Sequence, residues 1–352
     1  MNRRLNICYL LESTELSGGV RVVLDQARAL SARGHAVRVL ALRGDHAWYP
    51  HPVTLDYVES FTGAAALLKP QVVIATFWTT VASALDCRAA LTVHLCQGLE
   101  WECPEYGNIA AQIDAAYRHP IPKLTVGSWL DEKLHRHYGT ETFPVVCIGQ
   151  CVDARLYHPL PALRQWLRQW RRQPARLLVP GLFESSVKGI RDALQAVEIL
   201  RNEGRALHLT RVSSLPQNSA ECAITTVDDY HQAVSPTRMA QLYHQADIVL
   251  TPSYAAEGFG LPFAEALASG TAVVATAIPS YLSLDSRHDY ACFVPEGDAA
   301  ALAAAVRGLL DDPSRRVRMA RRGAALLRGR YSAEAVAARL EQVLVAWLAH
   351  RE

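Results

Sequence analysis

Short apolar runs rich in β-branched residues alternate along this chain with segments of helical period, and the alternation runs through twice. Such a pattern specifies βαβ units, because consecutive parallel strands need a helical crossover and end up buried on both faces. The first series of predicted strands is Asn6 to Leu11, Ala36 to Leu42, Gln71 to Thr76, Leu91 to Gln97, Leu124 to Ser128 and Val145 to Gly149. A second series follows at Arg176 to Gly181, Ala206 to Arg211, Asp247 to Thr251, Thr271 to Thr276 and Cys292 to Pro295. Between the first two strands Val20, Val23, Leu24, Ala27 and Leu30 share one helical face, and Gly34 closes it. The reading is two α/β domains in tandem, and 352 residues suffice for two cores.

The domains are expected at 1–160 and 176–330, joined by a linker over 161–175 and followed by a C-terminal helix, 331–352, packing back on the first domain. The linker region carries Leu163, Trp166, Leu167 and Trp170 on one face and Arg164, Arg168, Arg171 and Arg172 elsewhere. It reads as a helix on the domain junction, with a peripheral contact at the inner membrane surface as the alternative. Five arginines between Arg315 and Arg322 read as a solvated face.

Composition excludes several functions. Lys+Arg 36 against Asp+Glu 34 gives a net charge of +2, too small for a chain whose main task is neutralising nucleic-acid phosphates. No apolar run reaches the roughly 18 residues of a spanning helix, and the N-terminus turns polar too early for a secretory signal. The eight cysteines form no C-x-x-C pair, and several sit in strand-like runs as reduced core thiols do, which places the protein in a cytoplasm. His94, Cys96, Cys103 and His119 fit no zinc spacing, so no metal is expected.

Three places could carry chemistry. Ser17-Gly18-Gly19 lies between the first strand and its helix, where a phosphate could approach the backbone, although a glycine pair there also serves a plain tight turn. Thr251 to Gly270 holds Glu257-Gly258-Phe259-Gly260-Leu261-Pro262, expected to open a helix at the C-terminal ends of the strands, with Glu265 about one turn inside. Two carboxylates at different depths can bind different hydroxyls of one ligand; equally, they can complement a helix dipole. Lys188-Gly189 follows the strand ending at Gly181, where a lysine could reinforce a helix N-terminus against a diphosphate or simply face solvent.

Together these segments resemble the GT-B glycosyltransferases, specifically glycosyltransferase family 4, in the family's order and over nearly the whole chain. Gly18-Gly19 and Arg33-Gly34-His35-Ala-Val resemble the family's glycine pair and G-H-x-V turn. Ile148-Gly-Gln-Cys-Val-Asp153, running on to Pro159, resembles the segment that leaves the first domain. Ala246 to Ser253, Glu257 to Glu265 and Ala268 to Ala275 resemble the C-terminal signature.

The resemblance implies two Rossmann-like domains whose parallel sheets face a central cleft. It implies a retaining hexosyl- or deoxyhexosyltransferase of polysaccharide-biosynthesis type, moving a sugar from a nucleotide-sugar to a hydroxyl of a glycan, lipid-linked or small-molecule acceptor, without a cofactor or an obligatory metal. Glu265 would hold the nucleotide ribose, Glu257 the donor sugar, Lys188 the diphosphate, and the backbone of Gly258, Phe259, Gly260 and Leu261 the sugar and phosphate oxygens. Gly18 and Gly19 would approach the diphosphate from the other domain. His94 stands in the strand of the family's acceptor-side histidine; it also reads as an ordinary strand histidine. The chain departs from the pattern at Leu182, where the family has an arginine on the diphosphate, at Gln150-Cys151, and over Val212 to Asn218. Rhamnosyltransferase-like members share Gln97-Gly-Leu-Glu100. The alternatives are a non-catalytic nucleotide-sugar-binding protein and another GT-B enzyme such as a sugar-nucleotide epimerase.

Overall fold

The computed structural model describes residues 4–161 and 174–350, so the Trp166 and Trp170 segment lies outside the described residues. The chain divides into two compact units, one formed by Met1–Cys151 with Tyr331–Glu352, the other by Val152–Arg330. Residues 152–160, assigned from the sequence to the first domain, therefore group with the second unit.

The first unit is built on a seven-stranded parallel sheet of β1 (Asn6–Ser13), β2 (Ala36–Arg43), β3 (Leu55–Tyr57), β4 (Val72–Ala75), β5 (Leu91–Cys96), β6 (Lys123–Thr125) and β7 (Val145–Cys147), in the order β3-β2-β1-β4-β5-β6-β7. The second carries six parallel strands, β8 (Ala175–Pro180), β9 (Leu207–Ser213), β10 (Asp229–Gln232), β11 (Ile248–Thr251), β12 (Ala272–Thr276) and β13 (Cys292–Val294), in the order β10-β9-β8-β11-β12-β13. Central strands are fully buried, β4 and β11 over every residue, which is why they read as unbroken apolar runs. The two strands absent from the sequence reading, β3 and β10, are edge strands with half-exposed polar faces and so lack that signal.

Both sheets reverse strand order once, between β1 and β4 in the first unit and between β8 and β11 in the second. At such a reversal the crossover helices leave to opposite faces and open a crevice at the strand C-termini. Ser17-Gly18-Gly19 follows β1, Lys188 follows β8 and the Glu257 loop follows β11.

The C-terminal helix Ala333–Ala349 groups with the first unit. There Glu341 takes the Arg33 guanidinium and lies 3.6 Å from His35 Nε2, while Arg339 Nε donates to the Ile148 carbonyl at 2.9 Å. All eight cysteines are free thiols. Among the described residues no helix is long and apolar enough to cross a membrane.

Candidate functional site

In the second unit, the loops after β8 and β11 are fastened to each other. Gly189 caps the helix Ile190–Asn202 with φ +58°, and a Cβ there would lie 2.0 Å from the Pro252 carbonyl oxygen, so only glycine fits. Tyr254 N–H donates to the Val187 carbonyl at 2.8 Å, and Tyr254 OH to Asp192 Oδ2 at 2.6 Å; the carboxylate's hold on the proton pushes that phenol up to about 12. Ala255 N–H donates to Glu296 Oε2 at 2.8 Å.

This frame brings Lys188 and Glu257 together. Lys188 Nζ donates to Glu257 Oε2 at 2.6 Å, and Ser253 Oγ donates to the same oxygen at 3.0 Å. Ser253 in turn accepts from Tyr281 OH at 2.9 Å. Tyr281 is fully buried, stacked on Phe263 with ring centroids 4.1 Å apart, and burial raises its phenol far above the usual range. A rigid column of side chains thus orients the Glu257 carboxylate.

The loop then turns through Gly260, whose φ of +74° and hypothetical Cβ, 2.3 Å from Tyr281 Cε1, again require glycine. Gly260 is the N-cap itself and the helix runs Leu261–Ala268, so it begins at the last residue of the stretch expected to open it. No side chain caps this end, and Pro262 has no N–H to satisfy. Glu265 is buried on the fifth residue of the helix, where Tyr243 OH donates to its Oε2 at 3.0 Å. Glu257 and Glu265 therefore have separate partners. The arrangement can present a cation with an oriented carboxylate, and a second carboxylate on the following helix.

Beside Leu182, where the family has an arginine, the Phe183 ring carries the Arg191 guanidinium 5.4 Å from its centroid. Arg211 comes to the same strand ends but is fully buried, paired with buried Glu221 and donating to the carbonyls of Val179, Val212 and Gly181, the last at 3.0 Å. It ties β8 to β9, and its complete burial keeps it from a ligand. The sequence reading took it for the end of an apolar strand; nothing in its spacing marks the carbonyl cluster that folding brings around it.

In the first unit, Gly18 and Gly19 are the first residues of the helix Gly18–Ala32 rather than a turn before it, with Ser17 Oγ accepting from Val20 N–H at 3.2 Å. Gln97 lies across them: its Nε2 donates to the carbonyls of Gly19 at 3.4 Å and Thr76 at 3.3 Å, joining the ends of β1, β4 and β5. His94 is fully buried within β5, edge-on to Tyr117 at 4.6 Å, with both ring nitrogens lacking a hydrogen-bond partner. Burial, with Lys123 nearby, holds it neutral. The ring is sealed within the sheet, the environment of an ordinary strand histidine. At that strand end Tyr117 OH instead donates to Glu100 Oε2 at 2.5 Å, and burial pushes the Glu100 carboxyl up to about 7. Lys123, its ammonium 4.0 Å over the Phe143 ring, is lowered by burial to about 8. Among the described residues no three His, Cys, Asp or Glu side chains are grouped to hold a metal.

The two sheets and their order define a GT-B fold, the class of the solved structures that match this chain in shape. Sucrose-phosphate synthase from Thermosynechococcus elongatus matches with TM-score 0.77 and 17% identity over 98% of this chain and 100% of that one. The HepE protein of Anabaena, solved with UDP and glucose, matches with TM-score 0.78 and 14% identity over 97% and 100%. Residues 174–312 match the family described as "Glycosyl transferases group 1". Glycogen synthase of Mycobacterium tuberculosis is 26% identical over 95% of this chain and 82% of its own length. D-inositol 3-phosphate glycosyltransferase of Xylanimonas cellulosilytica is 31% identical over 54% of this chain and 48% of its own. Residues 174–312 thus carry a domain of the glycosyl transferase group 1 type, within the second unit.

Proposed function

We propose that this enzyme is a retaining, family 4 type hexosyl- or deoxyhexosyltransferase that moves a sugar from a nucleoside-diphosphate sugar to an acceptor hydroxyl, in the cytoplasm and without an obligatory metal. The observation that carries the reading is the Lys188–Glu257 pair held at the reversal point of the second sheet, with Glu265 set apart behind it. Lys188 would donate to the diphosphate, whose charge grows as the glycosidic bond breaks, so this contact strengthens toward the transition state. Glu257, oriented through Ser253 and Tyr281, would accept from sugar hydroxyls, and Glu265, steadied by Tyr243, from the ribose. The backbone of Gly258 to Leu261 would lie against sugar and phosphate oxygens. The bond from the anomeric carbon to the phosphate oxygen breaks, the bond to the acceptor oxygen forms on the same face, and the acceptor proton passes to the departing phosphate oxygen. Catalysis is then positioning and charge stabilisation. Acceptor recognition falls to the first unit, at the ends of β1 and β5 around Gly19, Gln97 and Glu100.

The complex of HepE with UDP-glucose makes a uridine diphosphate sugar the first donor to try. The test is incubation with a panel of UDP-, GDP-, ADP- and dTDP-sugars, reading released nucleotide and the anomeric configuration of any product by NMR. Retention with one donor is expected; an inverted product would overturn the mechanism. Tight nucleotide-sugar binding without hydrolysis or transfer would instead favour a non-catalytic binding protein.

A further inference from the structure

At the opposite ends of the strands from the Lys188–Glu257 pair, the second unit contains a cavity of about 390 Å³. It opens where β11 and β12 begin, between Ala246, Asp247, Gly270 and Thr271 and the helix Pro313–Arg330. That size falls in the range of small-molecule sites, about 300 to 1,000 Å³. The helix has seven arginines and no acidic residue. Several are satisfied: Arg322 pairs with Asp285 and Asp289, and Arg330 with Asp285. Arg316, Arg321 and Arg328, which line the cavity, have no side-chain hydrogen bond or ion pair among the described residues.

Their spacing shapes the site. At 3.6 residues per turn Arg316, Ala320, Ala324 and Arg328 follow one stripe with Val317 and Arg321 beside it, so small side chains form the floor and guanidinium groups stand at its rim. Arg316 and Arg321 are about 7.5 Å apart along the axis and about 140° apart around it, so they flank the floor of small residues and their long side chains can reach over it toward one anion, whereas Arg328 lies about 18 Å from Arg316 and needs a longer ligand. Asp247 on the opposite wall does not cancel this charge alone, and its Oδ2 already accepts the Arg176 N–H at 2.9 Å. Planar guanidinium forks match phosphate oxygens in pairs, and a recess favours a compact molecule over a flat polyanion.

We propose that this cavity is a second ligand site, separate from the donor site, for a small organic phosphate of the sugar-phosphate class. The phosphate sits between Arg316 and Arg321, the carbon body rests on Ala320 and Ala324, and a second anionic group reaches Arg328. Only the length of the short strand β11 separates the recess from the loop bearing Glu257, so occupancy can be communicated along a rigid element.

The test is calorimetric titration with a hexose bisphosphate, using the unphosphorylated hexose and inorganic phosphate as controls. Saturable binding is expected, weaker by about tenfold or more in Arg316→Gln/Arg321→Gln, the loss of roughly 1.4 kcal/mol of charge-assisted contact. Arg318→Gln, on the same helix but outside the cavity, should bind as wild type, and so should Lys188→Ala. If the double variant fails to fold, the exposed Arg328→Gln serves, with a smaller expected loss. Absence of saturable binding, equal loss in Arg318→Gln, or loss in Lys188→Ala would each overturn the assignment. So would cavity variants that lose only their binding to anionic lipid vesicles, which would make the face a membrane contact.

Discussion

Glu257→Gln separates the binding of the nucleotide from the handling of the sugar. The substitution keeps the side chain's shape and its acceptor toward Ser253 but removes the charge that Lys188 meets at 2.6 Å. Hydrogen bonds to charged groups contribute about 1.5 to 3 kcal/mol and neutral ones about 0.5 to 1.5, so the lysine loses on the order of 1 kcal/mol of its resting interaction. The Lys188 side chain is 30% exposed, and solvent screening reduces that figure further. A lysine less committed to its neighbour is freer for a diphosphate, so free nucleoside diphosphate should bind about two- to fivefold more tightly. The donor sugar loses a charged acceptor, and transfer should fall about tenfold to a thousandfold, the range for one lost transition-state contact. Calorimetry with the nucleoside diphosphate and single-turnover transfer measure the two effects on one variant. Normal turnover with only a lowered melting temperature would refute the sugar-site role and leave Glu257 as a structural counter-ion.

Lys188→Ala should lower kcat more than donor affinity, since its partner gains charge during reaction; near wild-type turnover in rapid-quench assays would move the role to another cation. Glu265→Ala should weaken nucleotide and nucleotide-sugar alike by about tenfold or more, and Tyr243→Phe by less, as read by calorimetry. Gly189→Ala should cost several kcal/mol in denaturant unfolding, because a Cβ 2.0 Å from the Pro252 oxygen forces the two site loops apart. Glu100 has a folded pKa of about 7, above its ordinary value, so between about pH 4.5 and 7 the folded state binds more protons and stability falls as pH rises. Glu100→Gln keeps an acceptor for Tyr117 and should flatten the decline in melting temperature between pH 5 and 8.

Burial decided which parts of the molecule the sequence could disclose. Central strands announced themselves, and so did the loop from Glu257 to Glu265, whose glycines and proline answer local backbone demands that leave a trace in sequence. Edge strands such as Asp229–Gln232 carry no apolar run. The Lys188–Glu257 bond spans residues far apart in sequence, and the charges alone gave no sign that they would meet. Arg211 shows the same limit: its acceptors come from neighbouring strands whose pairing only the fold supplies. His94 shows another limit: a strand position says which face a side chain takes and nothing about how deeply a neighbour such as Tyr117 covers it.

The helix Ala333–Ala349 also bears on the order in which this protein is made. The chain leaves the first unit after Cys151, completes the whole of the second, and returns at Tyr331. The second unit, continuous from Val152 to Arg330, therefore has all of its parts in one stretch that leaves the ribosome before the last part of the first. Until Glu341 and Arg339 are translated, Arg33 lacks its carboxylate and the Ile148 carbonyl its donor. The first seven strands must wait in an incomplete state, with the helix Gly18–Ala32 lacking the helix that packs on it. A chain truncated after residue 330 would carry a complete second unit beside an incomplete first one, the form most exposed to chaperones and proteases.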